Sequence, residues 1–413
     1  MTADKAPVRY AVIGVGGVGQ HHLRFARLHP QVELKAIVDA DADLLAGVSA
    51  EAGVRKFTDY RDLLAADLVD AVSIATPHFL LGRIGLDCLR AGVHIFVEKP
   101  FATSTSQADA MIAEARDRKL TICVAYQYRT YRTARAIKQQ IDSGALGRLQ
   151  RVLWTWLEFR SQRYYRDGNW HADWARAGGG VLMNQASHDL DLMCWLVGQP
   201  VRATAMLANQ LHTSEVEDIA CAVVQFEQGA LATFQASINQ PGGFSVRQLT
   251  GDRGSLVVQD VRSLTRDTED DILVGRFADS LTDINARQQH DHEQPAVNWE
   301  RLGKSARGLA LRRRLQRWPA YRWLRARLQQ TPLVRPWAPS GHRVLMDSFI
   351  HAVRTGEEPL VNGESARVTL ELINAIQLSA LRGKCVDLPL DRGEYDALVR
   401  DLVSGAAQVP VKR

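Results

Sequence analysis

The sequence predicts a two-part fold, α/β followed by α+β, in which a doubly wound parallel sheet precedes an open, mainly antiparallel sheet. Three observations support this class. Short apolar runs alternate with amphipathic stretches over residues 8–125, as strands and helices do in a parallel sheet. Longer β-rich runs of alternating character follow Tyr126, which is typical of antiparallel sheets with one exposed face. A glycine-rich turn follows the first apolar run.

The first part of the chain contains five strand candidates, each a short apolar run. They are Tyr10–Val15, Leu34–Asp39, Ala71–Ala75, His94–Glu98 and Thr121–Ala125. Helical patterns lie between them, as in Leu63–Leu68 and Leu80–Ala91. Strands alternating with helices at this spacing predict a parallel sheet, and we expect this first domain to span residues 1–126.

The second part begins with a helix predicted from about Thr133 to Ser143, which Gly144 ends. Turn sequences such as Glu227–Gly229 separate the strand candidates that follow. These strands are Leu149–Phe159, Val201–His212, Ile219–Phe226, Ala230–Ile238, Ser245–Thr250 and Ser255–Gln259. Helices are predicted again at Gly341–Arg354 and Ser365–Leu381. We expect the second domain to span residues 127–400.

An insertion into the second domain is predicted at about 265–339, where periodicity is lost and an Arg-rich helical pattern follows. Residues 301–330 contain ten Lys/Arg and no Asp/Glu, so the net charge of +5 would be −5 without them. Two short basic amphipathic helices separated by Pro319 fit this segment. They favour a surface hairpin or an oligomer contact, and peripheral contact with an anionic membrane stays open. The acidic remainder argues against nucleic-acid binding.

The composition of the 413 residues is that of a globular protein, with 46% hydrophobic and 23% charged residues. No apolar run has the length of a membrane span, and residues 1–7 are polar rather than a signal peptide. The five cysteines are scattered and form no CxxC pair. We therefore expect reduced thiols, a cytoplasmic location and no metal site.

A dinucleotide-binding fingerprint spans Gly14, Val15, Gly16, Gly17, Val18 and Gly19, between the first strand and a helix. The first glycine permits a tight turn, the second lets a pyrophosphate approach the backbone, and the third lets helix and strand pack closely. Asp39 ends the second strand, where a carboxylate accepts hydrogen bonds from the ribose hydroxyls of the adenosine. Asp41 adds negative charge and no Lys or Arg follows, so NAD is favoured over NADP.

Two further stretches carry chemistry. Glu98-Lys99-Pro100 places a lysine at the exit of a buried strand, and a glycine run at 178–180 leads into a helix that carries His188. Oxidation of an alcohol needs a base within hydrogen-bond reach of the hydroxyl while its carbon faces the nicotinamide. Together with the nucleotide fingerprint, these residue types predict a hydride-transfer enzyme.

At these motifs the chain resembles the Gfo/Idh/MocA family of oxidoreductases, relatives of glucose–fructose oxidoreductase and inositol dehydrogenase. The resemblance covers about residues 1–260 and 340–400. Besides the fingerprint and Glu98-Lys99-Pro100, it is carried by Ala75-Thr76-Pro77, Tyr126-Gln127-Tyr128-Arg129, Ser143-Gly144-Ala145-Leu146-Gly147, the glycine run into His188-Asp189-Leu190-Asp191, and Val216-Glu217-Asp218.

The resemblance implies that Lys99 binds the reacting oxygen and relays its proton, while His188 is the general acid/base. It implies cofactor contacts at Gly14, Gly16, Gly17, Val18, Gly19, Asp39, Ala75, Thr76, Pro77, Glu98, Lys99 and Gln127. Substrate contacts are expected at Lys99, Tyr128, Arg129, Arg166, Trp170, Trp174, Asn184 and His188. Aromatic faces suit the C–H faces of a sugar ring, although Trp170 and Trp174 also fit core or interface anchors.

Four positions depart from the family's pattern, and one of them is Leu81, where the family usually has His. Asn184 stands where the family often has Asp, and an amide cannot take up a proton as a carboxylate does. We therefore expect Asn184 to position substrate. His78 replaces a usual Asn, and His171 replaces a usual Arg after Trp170, so the contacts at those two positions are not carried over.

The resemblance implies an NAD-dependent dehydrogenase acting on a ring hydroxyl of a sugar, glycoside or cyclitol, and a homodimer or homotetramer formed through the second sheet. Two alternatives stay open. One is a glycosidase that uses transient C3 oxidation and recycles its NAD in place. The other is a non-catalytic NAD-binding regulator, which would need neither Lys99 nor His188.

Overall fold

The computed structural model describes residues 6–49, 51–165, 169–241, 245–259, 272–281, 283, 297–302 and 341–410. Two sheets organise this part of the chain, one of six strands and one of nine. The fold class predicted from the sequence, a parallel doubly wound sheet followed by an open and mainly antiparallel one, is confirmed. The division into domains at about Tyr126 stays a prediction.

The first sheet has the strand order β3-β2-β1-β4-β5-β6, and every pairing in it is parallel. Its strands are β1 (Val8–Ile13), β2 (Val32–Val38), β3 (Arg55–Phe57), β4 (Ala71–Ile74), β5 (His94–Val97) and β6 (Ile122–Val124). The five predicted strands are all present. The sequence did not predict β3, a three-residue edge strand without a buried residue.

The central strands β1 and β4 are buried almost throughout rather than at alternate positions, as is typical of a parallel sheet between two layers of helices. The helices are α1 (Gly19–Leu28), α2 (Ala42–Gly47), α3 (Tyr60–Ala65), α4 (His78–Arg90) and α5 (Thr105–Arg118). The strand order reverses between β1 and β4. Ligands bind outside the carboxyl ends of strands at such a switch point, and the glycine turn and Thr76 lie there.

The second sheet has the order β14-β13-β12-β11-β7-β10-β9-β8-β15. Its pairings are antiparallel except for the parallel pair of β7 with β10. The strands are β7 (Leu149–Leu157), β8 (Pro200–Ala208), β9 (Ile219–Phe226), β10 (Leu231–Ser237), β11 (Val246–Gly251), β12 (Gly254–Gln259), β13 (Ile272–Phe277), β14 (Val297–Leu302) and β15 (Val386–Asp387).

The helices after β6 are α6 (Arg132–Asp142), α7 (Trp174–Ala177), α8 (Val181–Asn184), α9 (Ser187–Val197), α10 (Gly341–Thr355), α11 (Gly363–Arg382) and α12 (Arg392–Ser404). The 20-residue helix α11 packs against β8, α9 and α5, so it contacts elements of both parts of the chain. No helix among the described residues combines the length and apolar character needed to cross a membrane.

The expectation of irregular chain from about residue 265 is wrong for two stretches. Ile272–Phe277 pairs with β12 and with Val297–Leu302, which extends the second sheet by two strands. The four central residues of Val297–Leu302 are all exposed, and three of them are polar, so hydrophobic alternation did not reveal an edge strand there. The two basic helices predicted within 301–330 lie almost wholly outside the described residues.

Candidate active site

The glycine turn between β1 and α1 is shaped by close backbone packing. Gly14 has φ +87°, and a Cβ there would lie 2.5 Å from the carbonyl oxygen of Ala75. A Cβ at Gly19 would lie 2.0 Å from the carbonyl oxygen of Gly14, so the helix packs directly on the turn. Positions 16 and 17 face open space, and α1 has neither a capping side chain nor an acidic residue in its first turn. This arrangement fits a pyrophosphate at the helix N-terminus.

Asp39 lies beside this turn at the end of β2. Its Oδ2 accepts a hydrogen bond from the Val15 N–H at 2.8 Å, and its Oδ1 accepts one from the Asp41 N–H at 3.0 Å. Each carboxylate oxygen has a further lone pair for a ribose hydroxyl. Asp41 caps α2 through the N–H groups of Asp43 and Leu44. The geometry therefore fits the predicted recognition of an adenosine ribose.

Ala75 and Thr76, which follow β4, pack against the glycine turn at Gly14. The Thr76 side chain lies next to Gly14, and its buried hydroxyl has no partner among the described residues. His78 is buried, and its Nδ1 donates to the carbonyl oxygen of Ala177 at 2.9 Å. Burial, with a smaller contribution from the charge of Lys99, lowers the pKa of His78 to about 3. It is therefore a neutral contact between the two parts of the chain.

Lys99 follows β5 and reaches across to the glycine-run segment. Its Nζ donates to the backbone carbonyl oxygen of Asn184 at 2.7 Å. Burial lowers the pKa of the lysine, while the neighbouring Glu98 carboxylate opposes this shift. An ammonium has three donors, so two N–H groups are left to hold a substrate oxygen.

His188 lies near the start of α9 in an aromatic cage. Tyr128 stacks on its ring with centroids 4.4 Å apart, and Tyr126 meets the ring edge-on at 5.9 Å. Its Nδ1 is buried and has no partner among the described residues. Burial, followed by the charge of Lys99, holds the pKa of His188 well below its ordinary value of 6.5. The imidazole is therefore neutral near neutral pH, with a ring nitrogen available as an acceptor.

Asn184 is the last residue of α8, four positions before His188, and it contacts a second histidine. Its Nδ2 lies 2.8 Å from Nδ1 of His171. Tyr164 stacks on the His171 ring at 4.5 Å, and Trp170 lies against it at 3.7 Å. Burial and the charge of Lys99 lower the pKa of His171 to about 4. The pair thus provides neutral hydrogen-bonding groups beside the lysine.

Glu217 fixes the turn that delivers these residues. A Cβ at Gly180 would lie 1.8 Å from the Glu217 carbonyl oxygen, so only glycine fits there. The fully buried Glu217 carboxylate accepts from the N–H groups of Gly180 and Leu182 at 2.8 and 3.1 Å. Burial raises its pKa to about 7, against the effect of these hydrogen bonds. In the sequence, Glu217 is marked only as part of the Val216-Glu217-Asp218 motif.

Some predicted substrate contacts lie elsewhere. Arg129 forms a buried ion pair with Asp191 and also donates to Ser365, so the structure engages it in the core rather than beside Lys99. Trp174 is buried and donates to the Glu215 carbonyl oxygen at 3.1 Å, as a core anchor would. Arg166 lies outside the described residues.

Among the predicted cofactor contacts, Gln127 is buried, and its Oε1 has no partner among the described residues.

The carboxylate of Glu98 accepts hydrogen bonds from two histidines that no sequence motif marks. Its Oε1 lies 2.9 Å from Nε2 of His22 in α1 and 3.2 Å from Nε2 of His342 in α10. The three groups are close enough for a metal site. However, both imidazoles contact one carboxylate oxygen at hydrogen-bond distance, which is the geometry of a shared acceptor.

The sequence matches known families over more than half of its length. Residues 8–126 match the model described as oxidoreductase family, NAD-binding Rossmann fold, and the turn and Asp39 described above fit that cofactor. The chain is therefore an NAD-binding oxidoreductase. Residues 134–257 match the GFO/IDH/MocA C-terminal domain. The chain belongs to the Gfo/Idh/MocA family.

Individual relatives agree with this assignment. The chain is 24% identical over 265 residues to a myo-inositol 2-dehydrogenase of Thermotoga maritima, covering 62% of this chain and 77% of the relative. It is 27% identical over 280 residues to a levoglucosan dehydrogenase of Pseudarthrobacter phenanthrenivorans, covering 60% and 72%. The crystal structure of the WlbA dehydrogenase of Chromobacterium violaceum with NADH and UDP-GlcNAcA is similar, with a TM-score of 0.72 at 25% identity, covering 94% and 98%.

Proposed function

We propose that this protein is an NAD-dependent dehydrogenase that transfers hydride between a ring CH–OH of a sugar, glycoside or cyclitol and the nicotinamide, with Lys99 and His188 handling the proton. The observation that carries the proposal is the contact between a partly buried lysine and the segment that leads into a buried histidine, in a chain that also has a dinucleotide turn. Lys99 is bonded to the segment that leads into His188, so the two parts of the chain contribute one group each.

The protonation states support this division of roles. The lowered pKa of His188 makes it a neutral base, whereas the Nζ of Lys99 is a hydrogen-bond donor that can stabilise a developing alkoxide. When NAD is bound it supplies the hydride acceptor. In the oxidation direction the hydroxyl proton passes to His188 while Lys99 holds the oxygen; in the reduction direction the same groups return it.

The remaining polar groups suit orientation rather than proton transfer. The amide of Asn184 and the neutral ring of His171 offer a donor and an acceptor for neighbouring hydroxyls. Trp170 and Tyr164 provide aromatic faces of the kind that stack on a sugar ring. The named substrates of the relatives, inositol and levoglucosan, are cyclic polyols of this chemistry.

The test is reduction of NAD, and separately of NADP, against a panel of sugars, glycosides, cyclitols and nucleotide sugars. We expect NADH formation with at least one substrate, and a kcat lowered at least about 10²-fold by Lys99→Met and by His188→Ala. The exposed residues Lys384 and His351 provide matched controls as Lys384→Met and His351→Ala. Unchanged turnover in both site variants, with normal NAD binding, would refute the assignment of roles.

Redox-neutral chemistry would give a different result in the same assay. A glycosidase using transient C3 oxidation would release its aglycone from a glycoside without net NADH, and a regulator would bind NAD without either product. Chromatography of the reaction products therefore separates these alternatives from a dehydrogenase.

The open face of the second sheet supports assembly into a homo-oligomer. Outward side chains on neighbouring strands include Met206, Val223 and Leu231, which are 81%, 45% and 53% exposed. Exposed apolar groups on adjacent strands are typical of a surface that another chain covers. Light scattering after size exclusion is expected to give a dimer or tetramer. The cytoplasmic location stays a prediction from the sequence.

A further inference from the structure

His188 has an aromatic ring against its face and no hydrogen bond at its buried nitrogen. Nδ1 of the imidazole is buried and has no partner among the described residues. A histidine that exchanges protons commonly takes its ring orientation from a hydrogen bond at one nitrogen, to a carbonyl oxygen or a carboxylate. Because Nδ1 is enclosed, Nε2 is the ring nitrogen left to meet a substrate. A different contact must therefore fix the direction of Nε2.

The ring of Tyr128 is the closer of two aromatic contacts of this imidazole. The planes of the two rings are inclined by 17° and their centroids lie 4.4 Å apart, so the rings are stacked. Tyr126 meets the imidazole at 87° with centroids 5.9 Å apart, so it contacts an edge. Rotation about the bond that joins the imidazole to Cβ would tilt the imidazole against the phenol ring of Tyr128. The stack therefore restricts the direction of Nε2.

The chain segment that carries Tyr128 is fixed to the helix that carries His188. Tyr128 lies in a short 3₁₀ helix, Gln127–Thr130, which follows β6. The next residue, Arg129, donates from Nε to Oδ2 of Asp191 at 2.8 Å and forms a buried ion pair with this carboxylate. Asp191 lies three positions after His188 in α9. The ion pair thus joins the two backbone segments whose side chains form the stack.

A second tyrosine supports the phenol ring. Tyr131, which directly precedes α6, packs against Tyr128 with centroids 5.3 Å apart and the ring planes inclined by 34°. Aromatic pairs in this range of distances and angles attract each other beyond the effect of burial alone. The phenol of Tyr128 is therefore held by its backbone and by Tyr131, independently of His188.

We propose that Tyr128 is a positioning residue that holds the His188 imidazole by stacking, so that Nε2 is presented to the reacting hydroxyl without a hydrogen bond at Nδ1. The proposal rests on the proposed function, because the direction of Nε2 matters for turnover only where His188 carries the proton. It differs from the substrate contact that the family resemblance implies for Tyr128, since it assigns the role to the ring and not to the hydroxyl.

The first test needs no turnover. The chain has twelve histidines, and ¹³C labelling at Cε1 follows them by NMR, with the His188 signal assigned from its loss in His188→Asn. A ring stacked on the imidazole shifts this signal through its ring current; phenylalanine supplies such a ring, whereas leucine does not. We expect the signal to keep its position in Tyr128→Phe and to move in Tyr128→Leu. The signal of the exposed His351 should stay in place in both variants.

The second test is kinetic. We expect Tyr128→Leu to lower kcat about tenfold, the order expected for loss of an aromatic pair, while KM for NAD stays within about twofold of the wild type. Tyr128→Met, a second variant without a ring, should behave in the same way. Tyr128→Phe should recover kcat to within about threefold of the wild type. Tyr60→Leu is the control, because Tyr60 is also partly buried but bonds to Asp87, outside the site, and it should leave kcat unchanged.

Several results would overturn the proposal. Equal losses of kcat in Tyr128→Phe and Tyr128→Leu would assign the effect to the hydroxyl. An unmoved His188 signal in Tyr128→Leu would mean that the ring does not hold the imidazole. An unchanged kcat in the folded variants without a ring, even with a lowered melting temperature, would indicate a merely structural role. If the wild type reduced NAD with no sugar, glycoside or cyclitol, the proposed function would fail, whereas the NMR comparison would still decide whether Tyr128 holds His188.

Discussion

Glu217→Gln is expected to change the pH dependence of stability by an amount that follows from the structure. The ordinary pKa of a glutamate is 4.5, and burial raises that of Glu217 to about 7 in the folded chain. The folded state therefore binds this proton more tightly than the unfolded state. The resulting stabilisation is fully present below pH 4.5 and is lost as the pH rises to about 7.

The magnitude follows from the shift. One pKa unit corresponds to about 1.4 kcal/mol, and linkage between the two states gives a loss of about 2.5 kcal/mol from pH 5 to pH 8 for this group alone. Glutamine keeps one oxygen, which can accept from the N–H group of Gly180 or of Leu182 but not from both, and it does not titrate. The variant should therefore lack this part of the pH dependence.

The assay is urea unfolding of wild type and Glu217→Gln at pH 5, 6, 7 and 8. The difference between their free energies of unfolding should change by about 2.5 kcal/mol across this range. Glu215→Gln is the matched control, because Glu215 lies in the same turn and is exposed. Parallel pH profiles for wild type and Glu217→Gln would refute the reasoning, since they would mean that Glu217 does not exchange a proton in this range.

Three further predictions concern the reaction and the turn. The pH profile of kcat/KM for alcohol oxidation should have an acid limb below pH 6.5, because the pKa of His188 is lowered. It should have an alkaline limb below pH 10.5, because the pKa of Lys99 is lowered. Limbs outside these bounds would contradict the two roles. Asp39→Asn should raise KM for NAD about tenfold, and it should raise the ratio of kcat/KM with NADP to kcat/KM with NAD, because it removes the charge that repels a 2′-phosphate. An unchanged ratio would refute this role of Asp39. Gly180→Ala should lower the melting temperature strongly or prevent folding, because its Cβ would lie 1.8 Å from a carbonyl oxygen. Gly47→Ala is the control and should have little effect, because no atom lies within 4 Å of a Cβ there. Equal melting temperatures of the two variants would contradict this prediction.

Local pattern was enough to predict most of the fold. Continuous apolar runs marked the buried parallel strands, and alternation marked strands such as Ile219–Phe226, in which every second residue is buried. The strands at the edges escaped this reasoning. Arg55–Phe57 and Val297–Leu302 bury little side-chain surface, so backbone pairing defines them and leaves no hydrophobic period to read.

The candidate site divides in the same way. Motifs in continuous sequence identified the glycine turn, Lys99 and His188. No local pattern marks His342, because its contact with Glu98 joins segments 244 positions apart. His171 stood out only as a departure from the family's pattern, which did not predict its contact with Asn184. Arg129 shows the converse, since its place in a motif did not reveal the buried ion pair with Asp191.

The hydrogen bond between Lys99 and residue 184 affects which substitutions a site of this kind can accept during evolution. The acceptor is a main-chain oxygen, which every amino acid supplies, so replacement of the side chain at position 184 leaves the lysine anchored. Under the proposed function, evolution or protein engineering can therefore replace the amide at this position by an acid or a hydroxyl. Such a replacement would change which ring substituents of the substrate are tolerated. Under the proposed function, position 184 is therefore a suitable place to begin a saturation library, because its backbone holds Lys99 and its side chain contacts His171.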